Sequence, residues 1–260
     1  MKVSKAQTKL HNQAEALIDS NAPLTMEERY FIAENWNPMV NHNVGWNAAF
    51  FTPMDLAREM MMETLGKDKT RVLDLCAGIG RLAFSYWRKH LQSGGRPEDI
   101  EIVCVELNPD FIRVGERILP EATWVRGDIF QRSVIEGLGR FDEVISNPPY
   151  GLRPELTDPN WLTKAPSQYM AAEVAMKVSK HAIFLLNQGD CPFAYSGRQR
   201  FEYTKAEAYT KFNEKTGVVF EMNCGLDTSA YENAWKGTKQ ITEIVIVSKE
   251  QREEELAKAA

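Results

Sequence analysis

Val72-Leu73-Asp74-Leu75-Cys76-Ala77-Gly78-Ile79-Gly80-Arg81-Leu82-Ala83 decides the fold. The apolar run 72–75 reads as a buried strand, the two glycines as a tight turn, and Arg81 onward as the first turn of a helix. Gly78, Gly80 and Ala83 satisfy the loose G-x-G-x-x-G/A pattern that cradles a nucleotide at the end of a first strand. On its own that pattern is weak.

Outward from this stretch the chain alternates. Apolar strands are predicted at 71–75, 101–106, 122–126, 141–146, 181–187, 217–222 and 241–247, with helical stretches at 80–91, 109–118, 132–138, 167–180 and 201–214. Such alternation implies an α/β fold with a largely parallel sheet covered on both faces. The last two strands have no clear helix between them, so they read as an antiparallel hairpin around a long loop at 223–240. Before the sheet, Leu10, Ala14, Leu17 and Ile18 form one helical stripe, and Thr25-Met26-Glu27-Glu28 has the spacing of a capping box. Thr52 as N-cap with Pro53 at the first helical position predicts a third helix that Gly66 ends. The organisation expected is a helical extension at 1–47, one α/β domain at 48–250 and a charged tail at 251–260.

Bulk composition excludes several classes. No run approaches the roughly 18 apolar residues of a membrane span, and the N-terminal residues lack a signal-peptide core. Cys76, Cys104, Cys191 and Cys224 form no C-x-x-C pair, so neither a disulfide framework nor a zinc site is expected and a reducing cytoplasm is the natural compartment. His11, His42, His90 and His181 are isolated, which gives no metal spacing. The net charge of −5 opposes tight nucleic-acid binding through the overall field. It leaves room for a local basic groove, and Arg198, Arg200, Lys205, Lys211 and Lys215 cluster, with Arg153 nearer the middle of the chain.

Asp74 chooses between cofactors. A carboxylate at the strand's end repels a pyrophosphate, more strongly as the site dries. Beside an ammonium and a sulfonium the same charge attracts. S-adenosylmethionine carries both cations and no phosphate, and so suits this turn better than a dinucleotide. Glu106 ends the second strand, where an acid suits the ribose hydroxyls of any adenosine cofactor. Asp128 follows the third strand and is placed to accept the adenine N6 hydrogens, with Ile129 or Phe130 covering the ring. All three acids fall at carboxyl ends of strands, where open α/β sheets bind ligands.

The fourth strand ends in Asn147-Pro148-Pro149-Tyr150. Two prolines leave no backbone N–H there, so the stretch offers acceptors only: the Asn147 side-chain oxygen and the Pro148 carbonyl, with the Tyr150 ring as a wall. Two fixed acceptors and a flat face suit a planar group bearing an NH2, such as the edge of an adenine.

With Phe50-Phe51-Thr52-Pro53 ahead of the glycine turn, and Glu106, Asp128 and the tetrapeptide after it, the chain resembles the gamma-class S-adenosylmethionine-dependent adenine-N6 DNA methyltransferases. The resemblance implies a Rossmann-like seven-stranded methyltransferase sheet and S-adenosylmethionine as cofactor. It makes Phe51, Thr52 and Pro53 cofactor contacts, together with Asp74, Cys76, Ala77, Gly78, Gly80, Glu106, Asp128 and Ile129. Asn147 and Pro148 would hold the adenine amine, and Tyr150 would stack on a base flipped out of DNA. Tyr231 and Trp235 in the 223–240 loop are candidates for a second wall, and Arg153 for a DNA contact. The tetrapeptide alone is shared with enzymes that methylate RNA or a protein glutamine, and a non-catalytic partner subunit is a further alternative. Such enzymes usually add a target-recognition domain. Here only 1–47, 151–166 and 189–215 remain to contact a target.

Overall fold

The computed structural model describes residues 3–20, 22–40, 50–66, 69–151, 155–235 and 239–249. The tail at 251–260, Arg153 and residues 41–49 lie outside them.

Eight helices are described: α1 (Lys5–Asp19), α2 (Met26–Asn35), α3 (Met54–Met60), α4 (Arg81–Gln92), α5 (Pro109–Ile118), α6 (Arg132–Glu136), α7 (Ser167–Val178) and α8 (Glu207–Thr216). The strands are β1 (Thr70–Leu75), β2 (Ile100–Glu106), β3 (Thr123–Arg126), β4 (Glu143–Ser146), β5 (Ala182–Asn187), the short pair β6 (Phe193–Ala194) and β7 (Glu202–Tyr203), then β8 (Val218–Met222) and β9 (Thr242–Lys249). Seven strands make one sheet in the order β3-β2-β1-β4-β5-β9-β8. The first five are mutually parallel, and β9 enters antiparallel between β5 and β8. This is the Rossmann-like sheet expected of a methyltransferase, including the terminal antiparallel pair.

Successive strand residues feed opposite faces. Val72, Ile102, Cys104, Ile145 and Ile183 join one buried cluster, while Leu73, Val103, Val105, Val144 and Phe184 join the other. The first cluster also contains Ala14, Ile18, Ile32, Ala33 and Trp36. The N-terminal helices are therefore built into the core of the sheet domain. Trp36 fixes them there: its indole N–H donates to Glu15 at 2.6 Å, and its ring lies 6.0 Å from Phe51 and 5.9 Å from Phe111. Arg117 Nη2 reinforces the join by donating to the carbonyls of Ser20 and Ala22 at 2.9 and 2.8 Å. The expected capping box forms at Thr25, and a second forms at Ser4.

Two expectations need correction. Thr52 is not an N-cap: Pro53 takes that position with no side-chain bond, and α3 gives way to a 3-10 turn at Met61–Glu63 before Gly66. The helix expected over 201–214 begins at Glu207, because Glu202–Tyr203 pair with Phe193–Ala194 instead. Aromatic residues at 201 and 203 carry the two-residue period of a strand. No helix among the described residues is long and apolar enough to cross a membrane.

The sheet reverses direction of winding between β1 and β4, and ligand crevices in open α/β sheets open at that point. Leu75 pairs with Ser146 on one side and with Val105 on the other. One residue further on, Cys76 therefore has Asn147 and Glu106 as its lateral neighbours. Strand register alone brings the glycine turn, the acid of β2 and the tetrapeptide to one edge.

Candidate active site

The turn after β1 is wound tightly. Cys76, Gly78 and Gly80 all have positive φ, at 59°, 58° and 79°. For Cys76 this is a sparsely populated conformation that the surrounding structure must enforce. At Gly78 a side chain is excluded twice over, by φ and by Phe51, whose Cε1 would lie 2.9 Å from an added Cβ. Gly78→Ala should therefore cost about 1–2 kcal/mol of stability and loosen the cofactor turn, read as a lower Tm with weakened cofactor binding.

Asp74 is 1% exposed. Its Oδ2 accepts the Ala83 N–H at 3.1 Å, tying the end of β1 to the first turn of α4, while Oδ1 has no partner. Burial pushes its pKa up to about 8, with the charge of Glu106 adding and the Ala83 bond opposing. An orphaned, buried carboxyl oxygen of this kind fits a cationic ligand group. Glu106 is itself held by three backbone N–H groups, Leu107 and Asn108 on Oε1 and Gly78 on Oε2, all at 2.7–2.8 Å. Burial raises its pKa against these bonds. Cys76 lies among three acids: burial first, then Glu106, Asp74 and Asp128, push its thiol far above its ordinary value, which excludes a reactive thiolate. The set is carboxylic throughout, and a cation that draws off the Asp74 proton finds an acceptor there, which suits the ammonium and sulfonium of S-adenosylmethionine rather than a pyrophosphate.

The segment 50–53 joins the turn to the tetrapeptide. Phe51 packs on Gly78 and 5.1 Å from Phe111, and Arg81 lies 5.4 Å over its ring. Arg81, 5% exposed, donates Nη1 to the carbonyls of Thr52 (3.0 Å) and Phe51 (3.4 Å). Burial lowers its pKa to about 10, so it remains a cation at neutral pH. From the other side Asn147 Nδ2 donates to Phe50 O at 3.0 Å and Thr52 Oγ1 at 3.1 Å. Because a backbone carbonyl only accepts, the amide orientation of Asn147 is fixed and Oδ1 must face away from this segment. Thr52, buried at 3%, is thus the link between Arg81 and Asn147.

Asn147 Oδ1 accepts the Tyr150 hydroxyl at 2.6 Å, and that hydroxyl also lies 2.8 Å from Leu185 O. Burial raises the Tyr150 phenol well above its ordinary value, keeping it a donor. Tyr150 thereby anchors the Asn147 oxygen through its hydroxyl. Pro148 O takes no donor among the described residues, whereas Pro149 O accepts from Ser167 Oγ at 2.7 Å.

Other expected residues are placed differently. Asp128 closes a local turn, its Oδ1 accepting the Phe130 N–H at 2.9 Å. Ile129 and Phe130 are buried in the second cluster, at 4% and 8%. Leu107, directly after Glu106, is an exposed apolar residue at 62%. Sequence reading missed it, although a leucine directly after the β2 acid was the available signal. Trp235 is 3% exposed inside the first cluster, so it offers no face for stacking. Tyr231 is partly buried against the same cluster and hydrogen-bonds Glu59. Ala77 is buried in the turn, with its N–H on Val105 O at 3.0 Å. Pro53 is buried as the N-cap of α3.

Residues 48–159 match the family model for the methyltransferase small domain. A release factor glutamine methyltransferase of Clostridium acetobutylicum is 30% identical over 86 residues, covering 31% of this chain and 27% of that protein. The chain thus spans about a quarter of the length of this curated relative. Among solved structures, a Listeria monocytogenes protein described as a class I S-adenosylmethionine-dependent methyltransferase superposes with a TM-score of 0.60 at 16% identity, over 96% of this chain and 76% of that one. A methyltransferase subunit of a type I restriction-modification system from Streptococcus thermophilus superposes with a TM-score of 0.56 at 16% identity, over 85% of this chain and 49% of that one. Residues 48–159 are thus similar to the methyltransferase small domain, and the sheet that carries them shares its fold with S-adenosylmethionine-dependent methyltransferases.

Proposed function

We propose that the protein methylates the exocyclic N6 amine of adenine in DNA. The observation that carries this reading is the fixed orientation of Asn147: Nδ2 is spent on Phe50 and Thr52, which leaves Oδ1 and the Pro148 carbonyl as acceptors beside the acid-lined turn. Two acceptors match the two hydrogens of a planar amine.

S-adenosylmethionine, when bound, supplies an electrophilic methyl group on its sulfonium. Asp74 and Glu106 hold the cationic and hydroxyl-bearing parts of that cofactor, and the 50–53 segment covers the turn. Asn147 Oδ1 and Pro148 O accept the amine hydrogens and favour a pyramidal nitrogen with its lone pair aimed at the donor. Positive charge grows on that nitrogen during transfer, and two preorganised acceptor dipoles stabilise it more than they stabilise the flat ground-state amine. Alignment supplies a further share of the rate. No strong base is needed, because the methylated, ammonium-like nitrogen is acidic and gives up its proton to water.

Tyr150 separates two contributions. Tyr150→Phe keeps the ring and removes only the hydroxyl that steadies Asn147 Oδ1, with an expected loss of about threefold to tenfold in kcat for one neutral hydrogen bond. Tyr150→Ala also removes the face for the base, with a further cost of about 1–3 kcal/mol in binding, seen as a raised KM.

DNA from cells lacking their own adenine methylation but expressing this protein should carry N6-methyladenine when sequenced by a methylation-sensitive method. Unmodified DNA from such cells, with soluble protein present, would overturn the DNA reading. The 30% identity to a glutamine methyltransferase favours one other reading, transfer to the side-chain amide of a protein glutamine, which presents the same planar NH2.

A further inference from the structure

Beyond β5 the chain leaves the sheet at the same edge as the tetrapeptide and forms a short lobe, 188–206. A buried side chain links the two: Gln168 accepts the Gly151 N–H on Oε1 at 2.9 Å and hydrogen-bonds the Asp190 carboxylate. The lobe is firmly rooted. Glu243, fully buried, accepts the N–H groups of Tyr195 and Ser196 at 2.8 and 2.9 Å, the Ser196 hydroxyl at 2.9 Å and Gln188 Nε2 at 2.7 Å. On this base, β6 and β7 carry an aromatic staircase. Phe193, 2% exposed, stacks on Phe201 at 5.7 Å, and Phe201 meets Tyr203 edge-on at 4.9 Å. Tyr203 itself is 87% exposed.

An aromatic ring this exposed offers a face on which a nucleic-acid base can stack. Arg198, Arg200 and Lys205 are exposed on the same hairpin segment, as are the carboxylates Glu202 and, just beyond it, Glu207, on a chain of net charge −5. Arg198 and Lys205 also border a cleft of about 140 Å3 between the hairpin and the Gln188-Gly189 turn. A stacking face flanked by cations is the arrangement that holds a nucleic-acid strand, with the bases on the ring and the phosphates on the cations.

We propose that the 193–205 hairpin is a nucleic-acid contact site that holds the strand flanking the target: Tyr203 stacks on a neighbouring base, and Arg198, Arg200 and Lys205 take phosphates. This deepens the reading above and rests on it.

The test is fluorescence anisotropy of the full-length protein on a short labelled adenine-containing single strand, its duplex and the matching RNA, over a salt series. Calorimetry with S-adenosylmethionine serves as the control for an intact fold. Tyr203→Ala should weaken binding about five- to 150-fold, with Tyr203→Phe close to wild type. The Arg198→Ala/Arg200→Ala pair should reduce the salt slope of log Kd by about 1–2. Cofactor affinity should not move in any variant. Unchanged affinity and slope would overturn the hairpin assignment, and would leave the DNA reading intact if the wild type still makes N6-methyladenine. Hairpin-dependent binding without methylated adenine would uphold the hairpin and remove the DNA target. A wild type that ignores every polynucleotide and instead methylates a peptide glutamine would overturn both.

Discussion

Asn147→Ala is expected to lower methyl transfer by about 10²–10³-fold and to leave the cofactor Kd within about twofold of wild type. In the proposed reaction Oδ1 accepts from the substrate amine, while Nδ2 holds the 50–53 segment. The segment does not depend on Asn147 alone, since Arg81 holds the Thr52 and Phe51 carbonyls and Phe51 packs on Gly78 and Phe111. The cofactor side should accordingly survive the substitution while the amine loses an acceptor. Single-turnover kinetics and calorimetry separate the two effects. Loss of cofactor binding together with transfer would instead make Asn147 a structural tie.

Asp74→Asn should weaken S-adenosylmethionine by about 10- to 150-fold, the worth of a charge-assisted hydrogen bond. The amide can still accept the Ala83 N–H through its oxygen, so the turn keeps its geometry. The pH dependence gives a second signature. In the folded protein the Asp74 pKa is raised to about 8 from the ordinary 3.8, so between those values the native state holds a proton that the unfolded chain has released. Its contribution to stability is complete below about pH 4 and is lost as pH rises through about 8. The cofactor-free wild type should lose stability across that window, and Asp74→Asn should show a flatter profile. A cation arriving beside Asp74 draws the proton off, so cofactor binding near pH 7 should release up to about one proton. Calorimetry in buffers of differing ionisation enthalpy reads that release, and it should vanish in Asp74→Asn. Equal affinity and equal proton release in the two proteins would remove Asp74 from the cofactor site.

The sheet was legible because its signals are local. The 72–83 stretch shows strand, turn and helix in succession, and β1 forms over Thr70–Leu75 with α4 starting at Arg81. The antiparallel end was readable from the missing helix between β8 and β9. The 193–203 hairpin was not, since strands of two residues are too short for the alternation at Phe201 and Tyr203 to stand out from a helical stretch. Side-chain partners were the other blind spot. A threonine before a proline has the spacing of an N-cap whatever else it meets, and only the fold brings Thr52 to Asn147, 95 positions away. Arg81 reads as an ordinary first-turn residue until the 50–53 segment covers it. Trp235 and Tyr203 are both aromatic residues in loop-like sequence, yet one is 3% and the other 87% exposed. That difference comes from long-range packing, which no local pattern encodes.

The most direct measurement of the central claim is incubation of the protein with methyl-labelled S-adenosylmethionine and, in parallel, unmethylated DNA, tRNA and a glutamine-bearing peptide, followed by digestion to nucleosides or amino acids. Label should appear as N6-methyladenine from DNA and disappear with Asn147→Ala. Label on the peptide glutamine alone, or N6-methyladenine that persists in Asn147→Ala, would contradict it.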